Sequence, residues 1–185
     1  TGKHISIGSF DAVKDRTITV NGFSKGFSMT GWRLGYIGAP KSVAAACGKI
    51  QGQFTSGANA FAQKAAAFAL LADMGPSTKM RETFLKRRDL VIEGLSQIPG
   101  FKVNRPEGAF YLFPDISSYF GKSDGTTTIN TADDFCDYIL RTVHVAIVTG
   151  SAFGADNCFR LSYAASEEQL KEAISRIKTA ASKLS

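Results

Sequence analysis

Along the chain, stretches with a two-residue apolar period give way to stretches with a helical one. "RTITVNGF" at 16–23 alternates and is β-branched, which predicts a strand ending in a glycine-bearing turn. "GWRLGYIGAP" at 31–40 predicts a second strand, stopped by Pro40. "SVAAACGKIQGQF" at 42–54 predicts a helix weakened by two glycines. "NAFAQKAAAFALLADM" at 59–74 is alanine-rich and apolar nearly all round, which predicts a buried helix. A longer helix follows between Pro76 and the "PG" at Pro99, with Met80, Phe84, Val91, Leu95 and Ile98 on one stripe. Its length suits a connector between two bodies.

Beyond it the pattern is mixed. "FKVNRPEGAFYLFPDI" at 101–116 predicts two strands around a turn at 106–108, and "KSDGTTTIN" at 122–130 a polar loop. "TADDFCDYILRTV" predicts a helix with Phe135, Ile139 and Val143 inward. "VAIVTGSAFG" and "NCFRLSYAA" predict two more strands. In the last segment Ser166 and Gln169 form a capping-box pattern. Leu170, Ile174, Ile177, Ala181 and Leu184 form the helical stripe behind it. The first seventy-odd residues thus read as an incomplete α/β layer and the last hundred as a small α+β unit. Two strands cannot build a doubly wound sheet, so further strands are expected upstream.

Composition narrows the classes. A chain of 185 residues, 44% hydrophobic and 21% charged, fits one globular domain, or one domain and part of another. No apolar run is long enough to span a membrane, and no signal peptide opens the chain. The first residue is not methionine, and the expectation is a piece of a longer protein. The net charge of +6 is spread along the chain. The densest run, Lys86 to Arg88, has Glu82 and Asp89 nearby and is expected to be a solvated helix face. Without an RNP signature, zinc finger or arginine tract, no nucleic-acid partner is expected. Cys47, Cys136 and Cys158 have neither disulfide-framework nor metal-site spacing, and a reducing cytoplasm is the default. His4 and His144 are far apart in the chain and are expected to be surface or packing residues.

The candidate chemistry lies in "NGFSKGFSMTGWRLGY" at 21–36. A lysine attacks a carbonyl only as the neutral amine, and its free pKa of about 10.4 must be lowered by burial or a nearby cation. Lys25 has apolar neighbours, and Arg33 supplies a cation if the turn brings the two strands together. A guanidinium also grips a phosphate through paired hydrogen bonds, to which Ser24 can add a hydroxyl. Gly26, Gly31 and Gly35 would allow close backbone approach. Such a set meets the requirements of pyridoxal phosphate. The bland alternative is an ordinary surface Ser-Lys pair. Arg160, between Phe159 and Leu161, needs a partner: either a ligand carboxylate or a structural Asp or Glu.

The same stretch resembles the lysine motif of the class I/II aminotransferases, which are fold-type-I pyridoxal-phosphate enzymes. Ser24, Lys25, Gly31, Arg33 and Gly35 match in order and spacing, and "PEGAFYLFPDI" and "VTGSAFGADNCFRLSYAAS" are similar to segments of the family's small domain. The resemblance implies an α/β chain that is the C-terminal part of that fold. Residues 1–75 would be the end of the large pyridoxal-phosphate-binding domain, and 76–185 the linking helix and small domain. By the resemblance Lys25 forms the Schiff base and then serves as the base. Ser24 and Arg33 hold the cofactor phosphate, and Arg160 binds the substrate α-carboxylate. The family's remaining cofactor residues lie upstream of the lysine: an aspartate, a tyrosine, a phosphate loop, an asparagine and a stacking aromatic.

The activity implied is transamination between an amino acid and a 2-oxo acid, closest to aspartate aminotransferase, in a cytoplasmic homodimer. The 185 residues alone are expected to be inactive. Alternatives are aromatic or alanine transamination, a lyase or synthase on the same fold, or a non-catalytic regulator. "SGAN" at 56–59 resembles a segment near the family's dimer interface and reads equally as a helix cap. Tyr36 and Tyr111 are expected as core aromatics, with a place in the cleft as the alternative, and Asp115 and Asp133 as turn or cap residues.

Overall fold

The computed structural model describes residues 4–185. They divide into two units, the first ending at Lys79 and the second running from Met80 to Ser185. Each is described by itself.

In the first unit, β1 (Thr19–Gly22) pairs antiparallel with β2 (Gly35–Gly38), with Asn21 opposite Tyr36. Both strands are shorter than the alternation predicts. The β1 segment opens in a 3-10 turn, Lys14–Arg16, and another, Thr30–Trp32, occupies the start of the β2 segment. Gly35 carries the closest approach of the hairpin: a Cβ there would sit 2.9 Å from the Asn21 carbonyl oxygen. Gly26 and Gly31 face open space, so close approach is not their role among the described residues. Helices α1 (Lys41–Phe54) and α2 (Ala60–Leu71) follow. The Asn59 side chain accepts hydrogen bonds from the N–H groups of Phe61 and Ala62, a helix cap. The expected burial of α2 is not observed. Only Ala62 and Ala66 are buried, while Phe61, Phe68 and Leu71 are exposed. Small side chains make its inner face, and the bulky ones that made the sequence read as buried point outward. The core of this unit is small: Phe23, Met29 and Ala66, with Phe27 and Leu34 against them.

The unit boundary falls inside α3 (Gly75–Ser96). Val91 and Leu95 of α3, and Ile98 just beyond it, are buried in the second unit. Gly94 lets the side chain of Ile174 come close, since a Cβ there would meet it at 2.9 Å. The basic run departs from its expected solvated face. Lys86 is exposed, but Arg88 is buried; its Nε donates to Asp89 at 3.0 Å and its Nη1 to the Pro106 carbonyl at 3.1 Å. Arg105 reaches the same Asp89 oxygen at 2.8 Å. Charged, hydrogen-bonded pairing is what makes that burial tolerable, so Arg88 ties the helix to the following loop.

The second unit contains a three-stranded antiparallel sheet in the order β3 (Tyr111–Leu112), β5 (Phe159–Ser162), β4 (Val148–Thr149). The strand expected around 101–105 is reduced to a single bridge between Lys102 and Asp115. Helices α4 (Ala132–Val143) and α5 (Glu167–Ala181) each begin with a capping box, Thr131 with Asp134 and Ser166 with Gln169. The sequence pattern had shown the second of these. Leu170, Ile174, Ile177, Ala181 and Leu184 are all buried, as their spacing predicts. At the centre lie Phe101, Tyr119, Phe135 and Phe159, with Phe135 and Phe159 stacked at 5.8 Å between ring centroids. No helix is long and apolar enough to cross a membrane, and no group of metal-ligating side chains occurs among the described residues.

Candidate active site

The loop between β1 and β2 is built from its apolar residues outward. Phe23 N–H donates to Leu34 O at 3.2 Å and closes it. Inside the loop the Phe23 carbonyl accepts from Phe27 N–H at 3.3 Å and Met29 N–H at 3.4 Å, and Ser28 N–H donates to Lys25 O at 3.2 Å. Ser77 Oγ holds the far side through Gly26 O at 3.0 Å. The buried Phe23 ring packs on Phe27 and Tyr36 at 5.3 and 5.5 Å. Tyr36 is therefore a half-open ring against the loop base and not a core residue.

Ser24 and Arg33 are the loop residues next to the closing Phe23–Leu34 pair, one on each side, with Lys25 one position further into the loop. Ser24 is half-buried and Lys25 exposed. This corrects the apolar setting expected for the lysine. Phe23 and Met29 turn into the small core and leave Lys25 on the outer side of the loop.

Arg33 is exposed and left-handed, at φ 50° and ψ 52°, a conformation costing a non-glycine residue about 1 kcal/mol or more. Its Nη1 donates to Thr30 O at 2.9 Å. Among the described residues it forms no ion pair, so further N–H donors remain for an anion. It lines two open concavities: one with Ser28, Trp32 and Asn59, the other with Asn21, Tyr36 and Gln51.

Arg160 belongs to the second unit. β5 alternates in burial, with Phe159 and Leu161 buried and Arg160 and Ser162 on the other face. The arginine therefore lies on the face of β5 opposite the core side chains Phe159 and Leu161. Its guanidinium carbon lies 4.5 Å from the ring centroids of both Tyr111 and Phe153. No carboxylate pairs with it among the described residues. Tyr111 was one of two readings in the sequence, core or cleft, and is half-buried against this arginine. Phe153 was missed; it lies near the end of the segment "VAIVTGSAFG" expected as a strand, of which only Val148–Thr149 is strand and Gly150–Phe153 is a 3-10 turn.

Asp115 is a turn residue, as expected, whereas Asp133 lies in the first turn of α4 and is not its cap. Asp115 accepts from Ser117 N–H at 2.8 Å. Burial works against its charge, but the Ser117 hydrogen bonds and nearby Lys102 outweigh it and hold the carboxyl below its usual range. Asp133 accepts from Ser151 Oγ at 3.1 Å. Cys47 is exposed, Cys136 buried and Cys158 half-buried, and all are free thiols. His4 is exposed, and His144 caps the end of α4 in a left-handed conformation.

The sequence matches the family Aminotransferase class I and II over residues 3–177. It is 51% identical over 181 residues to the bifunctional aspartate aminotransferase and glutamate/aspartate-prephenate aminotransferase of Petunia hybrida, covering 96% of this chain and 38% of that protein. It is 46% identical to the aspartate aminotransferase of Pinus pinaster, covering 95% of this chain and 36% of that one. The crystal structure of the aspartate aminotransferase from Rhizobium meliloti superposes with a TM-score of 0.92 at 45% identity, covering 95% of this chain and 44% of that one. The chain belongs to the class I and II aminotransferases, and its fold is part of the α/β fold-type-I architecture of that family. It spans less than half the length of the curated relatives it matches.

Proposed function

We propose that the whole protein is a pyridoxal-phosphate-dependent aminotransferase that moves an amino group between aspartate and a 2-oxo acid. The observation that carries this is the backbone of the β1–β2 loop, in which Ser24 follows and Arg33 precedes the closing Phe23–Leu34 pair, with Lys25 one position further in. A lysine amine, a serine hydroxyl and the Arg33 guanidinium, which forms no ion pair among the described residues, are the groups that a phosphate-bearing carbonyl compound calls for. Aspartate is favoured because both the Petunia hybrida and Pinus pinaster relatives carry it in their names. The first name also includes prephenate, which makes prephenate an acceptor to test.

The cofactor, when bound, supplies a carbonyl and a ring that draws electrons from the substrate Cα. Lys25 Nζ supplies the amine that fixes it and, once released, takes the proton from the substrate Cα. Ser24 and Arg33 hold the phosphate, and Arg160 orients the substrate through its α-carboxylate. Residues 1–75 belong in this reading to the C-terminal part of the large domain, and 76–185 to the linking helix and small domain. Homodimeric assembly in the cytoplasm is part of the same proposal and rests on the family resemblance.

The test is amino transfer by the whole protein. With pyridoxal phosphate, aspartate and either 2-oxoglutarate or prephenate, oxaloacetate should form in step with the new amino acid. Release of ammonia without a new amino acid would point to a lyase and overturn the reading.

A further inference from the structure

Arg160 is flanked by two rings that belong to separate elements. Tyr111 comes from β3, where it stands opposite Ser162. Arg160 lies two residues along the same face, the diagonal position from which an aromatic ring reaches a long side chain. Phe153 comes from the 3-10 turn Gly150–Phe153. That turn is tied down along its length. Gly150 N–H donates to Cys158 O at 2.7 Å, and Ala155 N–H donates to Gly150 O at 3.0 Å. A Cβ at Gly150 would collide with the carbonyls of Ala155 and Cys158. Ser151 N–H donates to Thr149 Oγ1 at 3.3 Å, and Ser151 Oγ donates to Asp133 at the start of α4 at 3.1 Å. The Phe153 ring meets Phe113 edge-on at 5.9 Å.

We propose that Tyr111 and Phe153 are positioning residues for the carboxylate subsite, clamping the Arg160 guanidinium by its faces so that its edge is what a ligand meets. The proposal rests on the reading of Arg160 as the carboxylate-binding residue. An Asp or Glu partner would hold the arginine by consuming its N–H donors. Aromatic rings hold the cation through their π faces and leave those donors for an incoming carboxylate. A carboxylate lying in the guanidinium plane then forms paired hydrogen bonds. An arginine already fixed in its bound rotamer gives up less freedom when the ligand arrives, an advantage of about two- to tenfold in affinity.

The experiment compares Phe153→Leu, Phe153→Tyr and Arg160→Lys in the whole protein with its cofactor. Two probes are titrated to equilibrium. One is α-methylaspartate, which has no Cα proton to lose. The other is 3-aminobutyrate, the same skeleton without the α-carboxylate. Phe153→Leu should weaken α-methylaspartate by about two- to tenfold, leave 3-aminobutyrate unchanged, and be rescued by Phe153→Tyr. Where Phe153→Leu does not fold, Tyr111→Leu on its separate strand gives the same test. Selective loss with Arg160→Lys but equal or no loss with Phe153→Leu overturns the clamp alone. No selective loss with Arg160→Lys overturns the reading of Arg160 and the clamp with it.

Discussion

Phe23 donates its backbone N–H to the Leu34 carbonyl at 3.2 Å, which continues the β1–β2 register and leaves Ser24 and Arg33 at the same end of the hairpin. Arg33 has no carboxylate to lean on among the described residues, so its proposed role as an anion anchor can be probed directly. In the whole protein, Arg33→Ala should weaken pyridoxal-phosphate binding by about 1.5–3 kcal/mol, the range for a hydrogen bond to a charged group. Pyridoxal without the phosphate should bind equally to both forms. Equal weakening of the two compounds would place Arg33 outside the phosphate site.

The Cys136 thiol sits in the core, and burial, aided by the negative charge of Asp133, pushes its pKa up from 9.0 to about 12. Between those values the folded chain keeps the proton that the unfolded chain releases. Its contribution is therefore complete below pH 9 and is lost as the pH rises towards 12, by up to about 1.4 kcal/mol per pH unit. Denaturant unfolding at a series of pH values should show a shallower alkaline loss in Cys136→Ala than in the parent chain. The same burial makes exposed Cys47 the first thiol to react with an alkylating reagent. Modification of Cys136 before Cys47 in the folded chain would contradict the packing.

Phe135 has no exposed surface and touches Phe101, Tyr119 and Phe159. Phe135→Ala should cost about 3–5 kcal/mol, from lost transfer free energy and the cavity left among rings that cannot all close on it. Urea unfolding of the second unit reads this as a shift in midpoint. A change below about 1 kcal/mol would mean that the cluster is not the centre of that core.

Helices were legible in the sequence because their stripes are periodic and their ends carry capping residues. Leu170 to Leu184 is the clearest case, with Ser166 and Gln169 at its start. Strands were located but drawn too long, since alternation at 16–23 and 31–40 also runs through the adjoining 3-10 turns. Burial misled where it depends on what surrounds an element. In α2 the bulky apolar residues face outward, and in the basic run Arg88 faces inward because Asp89 and Pro106 receive it. At the site, residue type and spacing left Ser24, Lys25, Arg33 and Arg160 with a bland alternative each, and the resemblance to the aminotransferases gave them their expected roles. Phe153 was not among them, because only the fold of the turn at 150–153 brings its ring to Arg160.

Lys25 is the residue on which the proposed chemistry depends. The most direct measurement is borohydride reduction of the whole protein with pyridoxal phosphate, followed by peptide mass mapping. The cofactor mass should appear on the peptide containing Lys25, and Lys25→Ala should abolish both the label and amino transfer. A label on another lysine, or undiminished labelling and turnover in Lys25→Ala, would contradict the assignment.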